Sequence, residues 1–457
     1  MQKLSGMSKT HSVMNDISRR KFLRDSALAG TFASVALGGL SGPFVSSLQG
    51  AEPGANSKVR LGVIGCGGMG RGDMECFFLN PEIDCPVICD VDDAMLAKGI
   101  EVCESKRGKK PDTVKDFRRV LDRKDIDIVL VATPDHWHAL PTVLACQAGK
   151  DVYVEKPLAT SIAEGRAMLE ASRRHNRVVQ MGSQWRSCQH IIDATELIRS
   201  GKLGKVGLVR GWAYLDWLPS IGKPPAGNPP PGVDYDFWLG PAPKRPFNPN
   251  RFHFNFRWFW DYAGGLMTDW GVHLINMMLM GMGDESPKSV FSTGGKLVLD
   301  DNSETPDSQV TVYEFPSFTL IWEHKAGLNN GLNNRSWGVE WCGTEGNIIL
   351  NDEGWEVRPE RKQANLDLKK NPGSGDPRPA HVRNFLECVK TRRPPVLNLD
   401  VAHRVSTTAH LGNIAYRTGH KVVWDSAKEI VVGDKAADKL VSAPYRKPWK
   451  LPYLPRT

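Results

Sequence analysis

Three side chains that can hold or move a proton lie in two short motifs. Asp269 and His273 are four residues apart in an apolar stretch that continues through Ile275 and Met278, so a helix would set both on one face. His273 could take a proton from a hydroxyl group while Asp269 orients the imidazole or contacts a second hydroxyl, or the pair could form a structural hydrogen bond. Lys156, in the run "DVYVEKP", could hydrogen-bond a substrate hydroxyl or be a solvated surface residue.

A glycine-rich loop precedes these motifs and predicts a nucleotide site. Residues 58–65, "KVRLGVIG", have the composition of a buried strand, and residues 69–79 that of the following helix. Between them Gly65, Gly67 and Gly70 fit G-x-G-x-x-G. The first glycine makes a tight turn, the second lets a pyrophosphate approach the backbone, and the third lets the helix pack on the strand.

The next apolar run, "PVICD", predicts which dinucleotide is bound. It ends in Asp90, 25 residues after Gly65, close to where an acidic residue accepts the ribose hydroxyls of NAD. Asp90 would repel a 2′-phosphate, and no arginine follows nearby to bind one. NAD is therefore the expected cofactor and NADP the less favoured one.

The order of elements predicts an α/β chain with two domains. Strand-like runs at 125–134 and 151–157 flank a predicted helix at 140–148, which is the rhythm of a parallel Rossmann sheet. A helix at 190–199 and consecutive strands follow, which indicates an α+β domain with a mostly antiparallel sheet. These strands are "KVGLVRGWAY", "SPKSVFSTGGKLVL", "SQVTVYEFP", "FTLIWEHKA" and "WGVEWCGTEGNIIL". The predicted units are an export signal and linker (1–57), a Rossmann domain (58–183), a substrate and oligomerisation domain (184–430) and a C-terminal tail (431–457).

Four motifs in order, "GVIGCGGMGRG", "ATPDHWH", "VEKPLA" and "GGLMTDWGVHLIN", resemble those of the Gfo/Idh/MocA oxidoreductases from about Lys58 to Trp424. The resemblance implies a catalytic set of Lys156, Asp269 and His273, with the lysine directed at the reacting carbinol. It also implies that the second domain's sheet carries an oligomer contact, so a homo-oligomer is expected. The family often has an acidic residue three positions after the histidine, whereas this chain has Asn276. The substrate contact that such an acid makes in the family is therefore not expected here.

The motifs also imply the remaining binding residues. Gln184 and Arg186, in "QMGSQWR", would line the substrate cleft by similarity. The expected NAD-binding residues are Gly65, Gly67, Gly68, Met69, Gly70, Asp90, Thr133, Pro134, His138, Glu155 and Lys156. His136 and His138 could also be metal ligands, but no third ligand is suggested nearby, so no metal is expected.

A long Pro- and Gly-rich segment, residues 219–249, is followed by "RFHFNFRWFWDY". Loops of this length in a compact domain tend to cover a site. Trp258 and other tryptophans of the region offer flat faces suited to the CH faces of sugars, although such aromatics also build ordinary cores. A sugar, glycoside or polyol is the expected substrate, bound by His273, Trp258 and the cleft residues.

Charge and an N-terminal motif predict export. Half of the formal net charge of +8 lies in the first thirty residues and half from Arg446 onward, so the folded body has no basic surplus for a nucleic acid. "SRRKFLRDSALAGTFASVALGGL" has the paired Arg19 and Arg20 of a twin-arginine signal, and hence of a periplasmic protein. Interleaved glycine and serine make the run weakly apolar, so no stable membrane span is expected after export.

Three functions remain compatible with the sequence. The first is an exported NAD-dependent oxidoreductase that removes hydride from a carbinol. The second is a redox-neutral NAD-dependent glycosidase or epimerase on the same scaffold. The third is a non-catalytic dinucleotide-binding protein, against which the set of Lys156, Asp269 and His273 argues.

Overall fold

The computed structural model describes residues 58–361 and 370–454. The predicted twin-arginine signal, with Arg19 and Arg20, lies outside the described residues. Among the described residues, no helix combines the length and the apolar composition that a bilayer crossing requires.

The first sheet has six parallel strands in the order β3-β2-β1-β4-β5-β6. The strands are β1 (Val59–Ile64), β2 (Ile83–Cys89), β3 (Asp112–Val114), β4 (Ile128–Val131), β5 (Asp151–Glu155) and β6 (Val179–Gly182). The helices that connect them are α1 (Gly68–Phe78), α2 (Asp93–Arg107), α3 (Arg118–Asp122), α4 (Ala139–Gln147) and α5 (Ile162–Arg174). The order reverses between β1 and β4, and this reversal opens a crevice at their carboxyl ends, where such sheets bind ligands. The predicted Rossmann domain is confirmed.

The second sheet has ten strands in the order β14-β13-β12-β11-β7-β10-β9-β8-β15-β16. Only the β7–β10 pair is parallel among its described pairs, which confirms the predicted, mostly antiparallel sheet. The strands are β7 (Val206–Leu215), β8 (Ser289–Gly295), β9 (Ser308–Glu314), β10 (Thr319–Ala326), β11 (Trp337–Gly343), β12 (Gly346–Asn351), β13 (Gly354–Pro359), β14 (Lys370–Pro372), β15 (Val422–Asp425) and β16 (Ile430–Val431).

β8 is shorter than its sequence predicts. The apolar run continues through Leu299, but the strand ends at Gly295. The Asp307 carboxylate accepts hydrogen bonds from the backbone N–H groups of Leu297, Val298 and Leu299, and these bonds turn the chain out of the sheet.

Helices of the second domain bring the catalytic candidates to the crevice. They are α6 (Gln189–Arg199), α7 (Tyr235–Leu239), α8 (Gly265–Asp269), α9 (Gly271–Met282), α10 (Arg378–Thr391), α11 (Leu399–Thr418) and α12 (Lys435–Asp438). α9 is buried almost all round because it packs between α6, α11 and the sheet. The helix predicted to carry both Asp269 and His273 is interrupted at Trp270, where α8 gives way to α9.

Late segments of the chain return to the first domain. Helix α10 packs on α1, where Phe385 meets Phe77 edge to face with ring centroids 6.2 Å apart. In the tail, the Trp449 ring lies 4.9 Å from that of Trp137, and the Tyr445 hydroxyl donates to Glu164 at 2.7 Å. Segments of the second domain and of the tail therefore pack against the Rossmann domain.

Candidate active site

The glycine loop has the geometry that a dinucleotide requires. Gly65 has φ +98°, and a Cβ there would lie 2.5 Å from the carbonyl oxygen of Ala132. A Cβ on Gly70 would lie 2.1 Å from the Gly65 carbonyl oxygen, so only glycine lets α1 pack this closely on β1. A Cβ on Gly67 would meet no described atom within 4 Å. The first turn of α1 has no acidic residue and no side-chain cap, so its N–H groups are free for a pyrophosphate.

Asp90 is fixed at the edge of this loop. Its carboxylate accepts hydrogen bonds from the backbone N–H groups of Cys66 at 2.7 Å and Asp92 at 3.0 Å. Burial raises the pKa of the Asp90 carboxyl, and these two bonds oppose the shift. The Lys115 ammonium lines the same cavity but is paired with the Asp93 carboxylate at 2.9 Å. The arrangement suits the ribose hydroxyls of NAD better than a 2′-phosphate.

A cavity of about 630 Å³ runs along the carboxyl ends of the first sheet. Of the predicted NAD-binding residues, Gly70 alone is not in its wall, since it lies beneath the loop against Gly65. The others line the cavity: Gly65, Gly67, Gly68, Met69, Asp90, Thr133, Pro134, His138, Glu155 and Lys156. The volume is within the range of small-molecule sites, and the residues present fit NAD.

Lys156 and Asp269 form the polar centre of the site. The Lys156 ammonium donates to the Asp269 carboxylate at 2.6 Å, although the two residues are 113 positions apart. Arg257 donates to the same carboxylate oxygen at 3.0 Å. Burial disfavours the ionised carboxyl, but the charges and hydrogen bonds of Lys156 and Arg257 outweigh it and lower the pKa of Asp269. The carboxylate therefore stays ionised and holds both cations.

His273 is oriented by a different residue from the one expected. Its Nδ1 lies 3.0 Å from the Ser183 hydroxyl, and no hydrogen bond joins it to Asp269 in the described structure. The physical reason is that Lys156 and Arg257, both cations, take the carboxylate. Burial and then the positive charge of Lys156 lower the pKa of His273 to about 3, so the imidazole is neutral. Its Nε2 makes no hydrogen bond to any residue that the structure describes.

Asn276, itself bound by Arg186, holds the Ser183 hydroxyl that contacts His273. The Asn276 amide donates to the Ser183 hydroxyl at 3.2 Å and accepts from Arg186 at 2.8 Å. The buried Arg186 guanidinium also binds the Asp284 carboxylate at 2.5 Å. Arg186 is thus used by the protein itself, whereas Gln184, the other predicted cleft residue, is half-buried in the turn after β6.

None of the four predicted substrate residues is in the wall of the large cavity: Gln184, Arg186, Trp258 and His273. Trp258 lines a second cavity instead. Close to His273 the nearest aromatic ring is that of Trp185, with centroids 5.1 Å apart, and Trp185 stacks on Trp337 at 4.5 Å.

The two histidines of "TPDHWH" hold loops together. His138 Nδ1 lies 2.6 Å from the carbonyl oxygen of Pro157, and its Nε2 lies 2.9 Å from that of Thr133. His136 Nε2 lies 2.9 Å from the Trp238 carbonyl oxygen. Burial lowers the pKa of both imidazoles. Within the described residues, no three His, Cys, Asp or Glu side chains cluster as a metal site would require.

Two further acidic positions were not assigned a role from the sequence. Asp73, on α1, is buried, and burial and then the neighbouring Glu155 carboxylate raise its pKa, while burial raises the pKa of Glu155 to about 7. Asp135 lines the large cavity, and burial raises its pKa to about 8 against the charges of Arg257 and Lys156.

Two family profiles match the chain. One, described as an oxidoreductase family with an NAD-binding Rossmann fold, matches residues 59–183. The other, described as an oxidoreductase family C-terminal alpha/beta domain, matches residues 201–317 and 361–451. The first domain is therefore an NAD-binding domain.

Curated relatives match part of the chain. A levoglucosan dehydrogenase of Pseudarthrobacter phenanthrenivorans is 28% identical over 174 residues, which are 36% of this chain and 43% of that protein. An alpha-N-acetylgalactosaminidase of Shewanella oneidensis is 27% identical over 209 residues, which are 42% of this chain and 45% of that protein. The chain spans less than half the length of these relatives.

Solved structures share the fold over more of the chain. Levoglucosan dehydrogenase in complex with NADH and levoglucosan is similar with a TM-score of 0.63 and 20% identity, over 80% of this chain and 99% of that one. An aldose-aldose oxidoreductase from Caulobacter crescentus, complexed with glycerol, has a TM-score of 0.61 and 22% identity, over 80% and 99%. At these identities the likeness shows the two-domain fold.

Proposed function

We propose, from the premise that this chain belongs to the Gfo/Idh/MocA oxidoreductase family, that it oxidises a carbinol of a sugar, glycoside or polyol. The observation that carries the proposal is the Lys156–Asp269–Arg257 cluster beside a neutral His273, next to a cavity that fits NAD. The sugar-acting relatives support the substrate class.

NAD, when bound, accepts a hydride from the carbinol carbon. Lys156, oriented by Asp269, donates a hydrogen bond to the substrate hydroxyl, and His273 Nε2 takes the hydroxyl proton. Because burial keeps the imidazole neutral, His273 is in the form that can accept a proton. The Asp269 carboxylate then stabilises the imidazolium that develops, since its charge opposes the depression of the His273 pKa.

A panel of sugars, polyols and glycosides tests the proposal. Purified protein with NAD should form NADH and a carbonyl product two hydrogens lighter than the substrate. Ser183→Ala, which removes the partner of His273 Nδ1, should lower kcat more than it raises KM. If no member of the panel is oxidised with or without added NAD, the proposed function is wrong.

A redox-neutral glycosidase is the second candidate, favoured by the similarity to the Shewanella oneidensis alpha-N-acetylgalactosaminidase. Such an enzyme would return the hydride after bond cleavage. The same panel separates the two candidates, because release of an aglycone without accumulation of NADH supports the second one.

We also propose export by the twin-arginine route, to the periplasm, with NAD retained. This route carries folded proteins, and free NAD should be scarce outside the cytoplasm, so a cofactor bound before export is the economical solution. Protein purified without added nucleotide should release close to one NAD(H) per chain on denaturation. Arg19→Lys with Arg20→Lys should keep the protein in the cytoplasm. A nucleotide-free protein that needs millimolar added NAD would overturn retention.

A further inference from the structure

A second cavity, of about 380 Å³, lies in the substrate domain. Its wall comes from the segment after β7, the turn His253–Trp258, the start of α8, the loop 296–307 and the end of β10. Most of that wall is aromatic or aliphatic. Among its apolar side chains are those of Trp217, Phe254, Trp258, Leu299 and Ala326.

This second cavity adjoins the cofactor cavity at Phe254, whose side chain is part of both walls. The Arg257 guanidinium lies over the Phe254 ring, 4.7 Å from its centroid, and the same guanidinium binds the Asp269 carboxylate at 3.0 Å. One side chain therefore separates the reacting Lys156–Asp269 pair from the wall of the second cavity. A substituent on a substrate held at Lys156 would meet the second cavity on this side, at Arg257 and Phe254.

A row of neighbouring aromatic rings leads from His273 to Phe254 in the wall of the second cavity. The Trp185 ring lies 5.1 Å from the imidazole, Trp270 lies 6.3 Å from Trp185, and Trp217 lies 6.4 Å from Trp270. Trp217 in turn lies 6.4 Å from Phe254. The side chains of Trp217 and Phe254 are half exposed, at 50% and 51%. Large apolar side chains left exposed beside a cavity mark a binding surface.

The charged groups of the second cavity are already paired, which leaves the Asn255 and Thr305 side chains as its polar partners for a ligand. Lys296 donates to Asp301 at 2.7 Å and also to Ser303. Asp307 accepts three backbone N–H bonds from the loop 297–299. A second sugar ring here would lose water from its hydroxyl groups without gaining enough partners. A planar apolar ring has no hydroxyl groups that would lose water, and it gains contact with Trp217, Phe254 and Trp258.

We propose that the second cavity is the subsite for an aryl aglycone, so that the preferred substrates are aryl glycosides whose sugar ring lies at Lys156 and His273. The inference rests on the proposed oxidation of a carbinol. It adds the part of the substrate that the catalytic residues do not contact.

The test compares 4-nitrophenyl and methyl glycosides of the same sugar and anomeric configuration. For the parent, kcat/KM for the aryl glycoside should exceed that for the methyl glycoside at least tenfold. Ala326 is the last inward-facing residue of β10, and Ala326→Phe fills the second cavity. This variant should lose about tenfold on the aryl glycoside and stay within about twofold on the methyl glycoside. The matched control Ala427→Phe, at an exposed position, should change neither.

A binding measurement keeps the proposal testable if Ala326→Phe does not fold. Free 4-nitrophenol should quench tryptophan fluorescence of the parent saturably, and Trp217→Ala should weaken its binding at least fivefold. Equal kcat/KM values for aryl and methyl glycosides, or 4-nitrophenol binding unaffected by Trp217→Ala, would overturn the subsite. If no glycoside is oxidised but 4-nitrophenol still binds and Trp217→Ala weakens it, the proposed function fails while the aryl site stands.

Discussion

At the scale of single residues, the site depends on one carboxylate shared by two cations. Asp269 holds both Lys156 and Arg257, which fixes the direction of the ammonium and leaves His273 to another partner, Ser183. In the proposed reaction the charged groups are thereby arranged before the substrate binds, which is the form of preorganisation that lowers a barrier.

Lys156→Met should lower kcat by roughly 10²–10⁴-fold, the usual contribution of a general acid or base, because the substrate hydroxyl loses its hydrogen-bond donor. The affinity for NAD, measured by calorimetry, should fall much less than kcat, because Gly67, Gly68 and Asp90 still line the cofactor cavity. Lys202→Met, at an exposed position, serves as the control. Activity of Lys156→Met within about threefold of the parent would remove the lysine from the mechanism.

Asp135 should make stability depend on pH. Its pKa of about 8 in the folded protein lies above the unfolded value of about 3.9, so the folded state keeps a proton that the unfolded chain loses. The resulting stabilisation is complete below the unfolded pKa and is lost as the pH rises toward about 8. Between about pH 5 and 8 the free energy of unfolding should therefore fall more steeply for the parent than for Asp135→Asn. Urea denaturation of nucleotide-free protein measures both slopes, and equal slopes would refute the assignment.

At the scale of elements, different glycines of the loop between β1 and α1 serve NAD binding and protein stability. Gly67→Ala should leave stability within about 0.5 kcal/mol, because the added Cβ meets no described atom, yet weaken NAD binding at least tenfold by occupying the phosphate space. Gly70→Ala should cost about 2 kcal/mol or more in unfolding free energy, because its Cβ strikes the Gly65 carbonyl. Denaturation curves and NAD titrations check the pair. Equal effects of the two substitutions on both readouts would contradict these roles.

The same elements show what the sequence could predict. The glycine loop and the strands β1, β2, β4 and β5 were predictable because turn chemistry and apolar runs are local signals. The early end of β8 was not predictable, because it depends on hydrogen bonds to Asp307, which lies just before β9. Nor was the pairing of Asp269 with Lys156, because it joins residues 113 positions apart.

At the scale of the whole molecule, the open face of the second sheet bears on assembly. Phe291 on β8 lies directly opposite Val312 on β9, which lies opposite Ile321 on β10. Phe291 is 48% exposed and Val312 37% exposed. Exposed apolar side chains aligned across neighbouring strands suit a contact with a second copy of the chain.

Phe291→Asp combined with Val312→Asp should therefore convert a homo-oligomer to monomers, because the charges would be buried unpaired at the contact. Light scattering after size exclusion measures the mass. Leu79→Asp, at a position 66% exposed in the first domain, should leave the mass unchanged. A monomeric parent would show that there is no such contact. A double variant of unchanged oligomeric mass would show that the contact lies on another surface.

We propose that bound NAD oxidises a carbinol and that Lys156 holds the reacting hydroxyl. The most direct measurement mixes NAD-loaded protein with an excess of one glycoside from the panel and records NADH formation and the mass of the sugar product, for the parent and for Lys156→Met. The parent should form NADH with a product two hydrogens lighter, and the variant should form neither at a comparable rate. NADH formation at equal rates in parent and variant, or no oxidised product with any glycoside, would contradict the claim.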